Sequence, residues 1–225
     1  MKVMGLDTGW ELAIFDCDGV LVDSEALTHR VLIDALKDLG IDLALDRAFG
    51  LFMGNTLAQN VEVIEGLLGG PLPEHFFEEW RELLYDRFRS EPVLAVPGVE
   101  AVLDGLNMPT CVVSNGPLRK MQTSLGVTGL LDRFEQHLYS SESGLPGKPA
   151  PDLFLAAARD FGAAPERTFV VEDSPKGVAG AVAAGMRVFG YAQASYVDAA
   201  ELEAAGATVF RNMSELPELI RRTQS

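Results

Sequence analysis

Along this chain, short apolar and largely β-branched runs alternate with stretches whose apolar positions recur every three or four residues. The runs Leu12–Phe15, Thr110–Val113, Gln136–Tyr139, Thr168–Val171, Arg187–Tyr191 and Thr208–Phe210 predict strands. Between the later runs, the segments Pro117–Leu125, Pro151–Phe161, Pro175–Ala184 and Val197–Ala205 predict helices. Proline at three of these starts, and glycine at 162 and 185 after two of the stops, supports the boundaries. Strands separated by helices at this spacing predict an α/β fold, a parallel sheet with helices on both faces.

One segment breaks the alternation. From Ser24 to Pro92 the pattern is helical throughout: Leu27, Val31, Ala35 and Leu39 make one stripe, closed by Gly40. A second stripe, with Phe76, Phe77, Trp80, Leu83, Leu84 and Phe88, runs through Glu74–Arg89, and an aromatic stripe of that kind predicts core. Gly69-Gly70-Pro71 predicts a loop between helices, and EPVLAVPG (91–98) a return linker. The expected organisation is a core from 1–23 and 93–225, interrupted by a helical cap domain over 24–92.

Composition narrows the classes. Of 225 residues 48% are hydrophobic, ample for a core, and no run approaches the length of a membrane span. The first residues, MKVMGLDTGWELAIF, lack a long apolar stretch with a cleavage site, so a cytoplasmic location is expected. A formal charge of −15 repels nucleic acid but leaves room for a small anionic substrate held by well-aimed local groups. Cys17 and Cys111 are expected reduced and buried, and Cys17 has no evident activating base. His29, His75 and His137 lack metal-ligand spacing and are expected to be surface or packing residues.

In an open parallel sheet, ligands bind beyond the carboxyl ends of the strands. There the first run delivers Asp16 and Asp18, the run TCVV delivers Ser114-Asn115-Gly116, and the run TFVV delivers Glu172-Asp173. Lys148 lies on the loop GKPAPD between the last two. Singly, each aspartate reads as a turn former or helix cap, and the lysine as a solvated loop residue. Alternate residues of an extended chain face one side, so Asp16 and Asp18 are expected to converge while Cys17 points away.

In this order, DCDGVLVDSE (16–25), VVSNG (112–116), GKPAPD (147–152) and VVEDSPKGVAGAVAAGM (170–186) resemble the haloacid dehalogenase superfamily. The likeness is to its phosphohydrolases with a Rossmann-like core and a helical cap inserted after the first strand. It implies Asp16 as nucleophile on phosphorus, and Asp18 as acid for the leaving oxygen and then base for water. It further implies Ser114 and the backbone N–H of Asn115 on phosphate oxygens, beside Gly116, with Lys148 between Asp16 and the phosphoryl group. Mg²⁺ would be held by Asp16, Asp173 and the main-chain carbonyl of Asp18, with Glu172 in or just outside the ligand shell.

The second aspartate of the pair points to phosphate esters, since dehalogenases and phosphonate-cleaving relatives lack it. Sugar phosphomutases of the beta-phosphoglucomutase type are the alternative, but they carry a cap histidine where this chain has Thr28. A non-catalytic binding protein on the same fold is a second alternative. The stretch PTCVVSNGPLRKM (109–121) is most similar to the 6-phosphogluconate phosphatase group. Cap specificity is expected around Phe49–Asn60, with Asn55 and a cation, Arg47 or Arg30, at the substrate. The expected substrate is a small phosphorylated sugar or sugar acid, handled by a monomer or small homo-oligomer.

Overall fold

The computed structural model describes residues 9–134 and 136–223. The reading of the N-terminal segment therefore falls, for residues 1–8, outside the described residues. In chain order the strands are β1 (Leu12–Phe15), β2 (Val22–Asp23), β3 (Leu94–Ala95), β4 (Thr110–Ser114), β5 (Leu138–Ser140), β6 (Thr168–Glu172), β7 (Arg187–Tyr191) and β8 (Thr208–Phe210). Six form one parallel sheet in the order β5-β4-β1-β6-β7-β8. Strand order reverses at β1, between β4 and β6, which opens a crevice at its carboxyl end.

β1 is buried on both faces, which is why it reads as an unbroken apolar run. Its side chains alternate: Ala13 and Phe15 enter one core, Leu12 and Ile14 the other. The first core is closed by α5 (Val99–Gly105), α6 (Leu118–Val127) and α10 (Leu216–Arg222), through residues such as Val102, Met121 and Ile220. The second is closed by α7 (Asp152–Phe161), α8 (Pro175–Ala183) and α9 (Ala199–Ala205), through Phe154, Val178 and Leu202. The small residues of α8 allow close approach to the sheet, as its Ala- and Gly-rich sequence suggests. No described helix is long and apolar enough to cross a membrane.

Between β2 and β3 the chain forms α1 (Glu25–Asp38), α2 (Leu45–Phe52), α3 (Leu57–Leu68) and α4 (Phe76–Ser90). These enclose their own cluster, including Leu36, Phe52, Ile64 and Phe76. A second stripe of α1 and α4, Leu27, Val31, Leu84 and Phe88, packs into the core under the sheet. The stacked rings of Phe49 and Tyr196, 4.0 Å apart, and the Arg81–Glu142 pair at 2.8 Å join the helices to the sheet side.

The structure departs from expectation in a few places. The segment read as a return linker contains β3, which pairs antiparallel with β2; strands of two residues are too short for a period-2 signal. β5 begins later than predicted because His137 N donates to Phe134 O in a turn, at 2.8 Å. Pro117 and Pro151 stand just before their helices rather than in the first turn, whereas Pro175 does open α8.

Candidate active site

β1 stays extended one residue beyond its last strand position, where Asp16 N donates to Val171 O at 2.9 Å. The chain then doubles back, with Leu21 N and Val22 N both donating to Cys17 O at 3.0 Å. Gly19 makes this turn at φ +78°, and any Cβ there would lie 1.9 Å from Asp173 Oδ2. The turn needs glycine for both reasons. Asp16 and Asp18 line the crevice, while Cys17 is fully buried with Sγ 3.8 Å from Ser124 Oγ. Burial pushes the Cys17 thiol well up, so it packs as an inert apolar residue. Both cysteines are free and buried, as expected.

Lys148 is buried between two carboxylates: its Nζ lies 2.5 Å from Asp16 Oδ1 and also donates to Glu172 Oε1. The other oxygen of Glu172 accepts from Asp173 N, Ser174 N and Ser174 Oγ, each at 3.0 Å. With both oxygens engaged, Glu172 acts as a brace that fixes Lys148 and the turn after β6. α8 meets it at Gly177, where a Cβ would fall 1.8 Å from Glu172 Oε1. Asp173 is different. Its Oδ2 is buried and, among the described residues, has no hydrogen-bond partner.

Burial raises Asp16 to about 8; Lys148 opposes this, and Glu172 and Asp18 add to it. Burial, then Asp16 and Glu172, push Asp173 well above the usual carboxylate range. Asp18 is held by Lys120, whose Nζ lies 2.8 Å from Asp18 Oδ2, and by the hydroxyl of Ser24. Setting aside Glu25, which pairs with His29, four buried carboxylates face two buried ammonium groups, so two negative charges are left uncompensated when all four are ionised.

That surplus, and the orphaned oxygen of Asp173, fit a divalent cation. Among the described residues no group of three or more His, Cys, Asp or Glu forms a ready-made cage. Mg²⁺ does not demand one: it commonly takes one or two carboxylates and completes its shell with waters and phosphate oxygens. Asp16 and Asp173 suit that role, whereas the carboxylates of Asp18 and Glu172 are engaged elsewhere.

Ser114, Asn115, Gly116 and Lys148 line the same crevice as the aspartates. Ser114 Oγ accepts from Gly116 N at 3.0 Å. The Asn115 amide ties three loops together, donating to Gly54 O and Lys148 O and accepting from Lys148 N. Asn55 also lines the crevice, but its amide is occupied by Leu51 O, Asn60 Oδ1 and Lys176 Nζ, so it clasps the helices to α8. Arg47 and Arg30 are exposed and outside the crevice lining, which corrects the expectation that either supplies its extra cation. Both lie on the solvent side of their helices. The arginine that lines the crevice is Arg81, on α4.

Sequence reasoning also passed over Lys120, Glu25 and His29. Glu25 Oε2 lies 3.0 Å from His29 Nδ1, and both residues are buried at the crevice. Burial alone would raise Glu25, but the hydrogen bond and charge of His29 outweigh it and hold the carboxyl at about 2. Their i,i+4 spacing was a usable signal, as was the position of Lys120 in the first turn of the helix after Ser114-Asn115-Gly116.

The family model for haloacid dehalogenase-like hydrolases matches residues 10–185. This chain belongs to that family. Among haloacid dehalogenase-like proteins of known sequence, it is 32% identical over 209 residues to the 6-phosphogluconate phosphatase of Escherichia coli K12, covering 93% of this chain and 94% of that one. Among solved structures, a conserved haloacid dehalogenase-like protein of unknown function from Agrobacterium tumefaciens superposes with a TM-score of 0.82 at 36% identity, covering 96% of this chain and 100% of the other. A HAD family hydrolase from Deinococcus radiodurans R1, crystallised with bound phosphate and sodium, superposes at 0.76 with 29% identity, covering 96% and 97%.

Proposed function

We propose that this haloacid dehalogenase-like chain is a Mg²⁺-dependent phosphatase of a small sugar or sugar-acid phosphate, acting through an aspartyl-phosphate. The observation that carries the reading is the convergence of Asp16, Asp18, Ser114, Lys148 and Asp173 on one crevice at the carboxyl end of β1. The 6-phosphogluconate phosphatase relative and the phosphate in the Deinococcus structure support the substrate class. On this reading 24–92 is a cap over a core of 1–23 and 93–225.

The Asp16 carboxylate attacks phosphorus, forming its own O–P bond as the ester P–O bond breaks. Asp18 gives a proton to the departing oxygen, then takes one from the water that cleaves the aspartyl-phosphate. Ser114 and the Asn115 N–H hold the non-bridging oxygens, and Lys148 steadies Asp16 against the incoming negative charge. Asp16, Asp173 and the Asp18 carbonyl would hold Mg²⁺, which when bound offsets the charge crowded between carboxylates and phosphoryl group.

A phosphate-release screen over sugar phosphates, with and without EDTA, tests this. Release should stop in EDTA and in Asp16→Asn; undiminished turnover by that variant removes the nucleophile from the scheme. Product analysis covers the phosphomutase reading, which predicts an isomerised hexose phosphate and dependence on a bisphosphate. Thr28, standing where mutases carry histidine, weighs against it.

A further inference from the structure

Apart from Asp173 Oδ2, the buried side-chain polar atoms without hydrogen-bond partners among the described residues are Thr28 Oγ1, Trp80 Nε1 and Arg81 Nε. All three residues line the crevice, and all three come from the helical segment, Thr28 on α1 and the other two on α4. The indole is held by an edge contact with Phe77, ring centroids 5.7 Å apart at 89°. Arg81 keeps one terminal nitrogen on Glu142 Oε1 at 2.8 Å, which anchors the guanidinium while leaving Nε unused. Leaving a sealed donor unmet is costly, and three on residues lining one crevice call for an acceptor from outside the chain.

We propose that Thr28, Trp80 and Arg81 form a subsite for a carboxylate at the end of the substrate remote from its phosphate. The inference rests on the phosphatase reading for that phosphate. The donor chemistry selects the group. Indole N–H and guanidinium only donate, so a carboxylate, with two oxygens and no proton, can answer all three atoms at once. A hydroxymethyl end brings its own proton, for which only the Thr28 oxygen could serve as acceptor. Arg81, anchored by Glu142, is a cation on the helical side of the crevice, whereas the carboxylates Asp16 and Asp173 follow β1 and β6 on its sheet side. The helical and sheet sides of the crevice thereby read the two ends of a sugar-acid phosphate.

The test is calorimetric titration of the Asp16→Asn chain in Mg²⁺ with three probes: 6-phosphogluconate, glucitol 6-phosphate and a hexitol 1,6-bisphosphate. Charge-assisted hydrogen bonding predicts that the acid binds roughly tenfold to a hundredfold more tightly than glucitol 6-phosphate. Adding Arg81→Met should erase that preference, and Trp80→Phe, which keeps an aromatic ring and removes the N–H, should narrow it. Glu142→Gln breaks the same ion pair without removing the cation, and should keep the preference. Equal affinity for acid and hexitol overturns the subsite, as does a preference that survives Arg81→Met or is lost equally in Glu142→Gln. Tightest binding of the bisphosphate overturns the carboxylate assignment. Phosphate release by the wild-type chain is measured separately: no release, with the binding preference intact, sinks the phosphatase and leaves the subsite standing.

Discussion

Lys148→Met removes the one ammonium lodged between Asp16 and Glu172, at a site where all three side chains are almost wholly buried. Taking one partner from a buried ion pair costs about 3–5 kcal/mol, because the charge left behind keeps its desolvation penalty. The cost should also depend on pH. In the metal-free protein Asp16 ionises near 8, far above its ordinary 3.8, so its burial opposes folding increasingly as pH climbs between those values. Without Lys148 the folded value moves higher still. Above about 8 the wild-type penalty stops growing, while that of the variant continues to increase. One proton linked over one pH unit is worth about 1.4 kcal/mol, so the stability gap should be larger by that amount at pH 9 than at pH 7. Urea unfolding followed by circular dichroism, in EDTA at both pH values, measures it. A gap below about 1 kcal/mol at both, or one that shrinks toward pH 9, would refute the claim that Lys148 neutralises this carboxylate pair.

Gly177→Ala would drive a methyl group into Glu172, and should destabilise the chain by about 1–3 kcal/mol and lower kcat more than it raises KM; unfolding and steady-state kinetics report both. Glu25 has a folded value of about 2 against an ordinary 4.5, so it stabilises above about 4.5 and that contribution drains away as pH falls toward 2. The loss, about 3 kcal/mol, should be absent from the acid unfolding curve of Glu25→Gln. Adding Mg²⁺ should raise Tm and release protons, since Asp16 and Asp173 bind a cation only when ionised; titration in two buffers of different ionisation enthalpy counts them.

What could be read in the sequence follows from how each group reaches the crevice. Asp16, Ser114 and Asp173 stand at or just past strand ends, where the sheet's topology alone fixes their destination, and Lys148 sits on a loop between two of them. Lys120, Glu25 and Arg81 come from helix faces, and which face turns inward is decided by how α1, α4 and α6 pack on the core beneath the sheet. Which arginine faces the crevice, Arg81 rather than Arg47 or Arg30, is therefore a matter of helix packing that the sequence does not carry. Asn55 fell in the right loop, but its amide had a partner in Lys176, more than a hundred residues away along the chain. The β2–β3 pair was illegible for a simpler cause: two residues carry no periodicity.

That short ribbon has an evolutionary corollary. Val22 faces Ala95 and Asp23 faces Leu94 across antiparallel hydrogen bonds, so the points where the chain leaves and rejoins the sheet are neighbours, about 5 Å apart. A deletion of the intervening helices could be sutured by a tight hairpin turn without disturbing a strand of the main sheet. A different insert could be spliced across the same gap, which lets the helices diversify while the crevice at the carboxyl end of β1 is inherited unchanged.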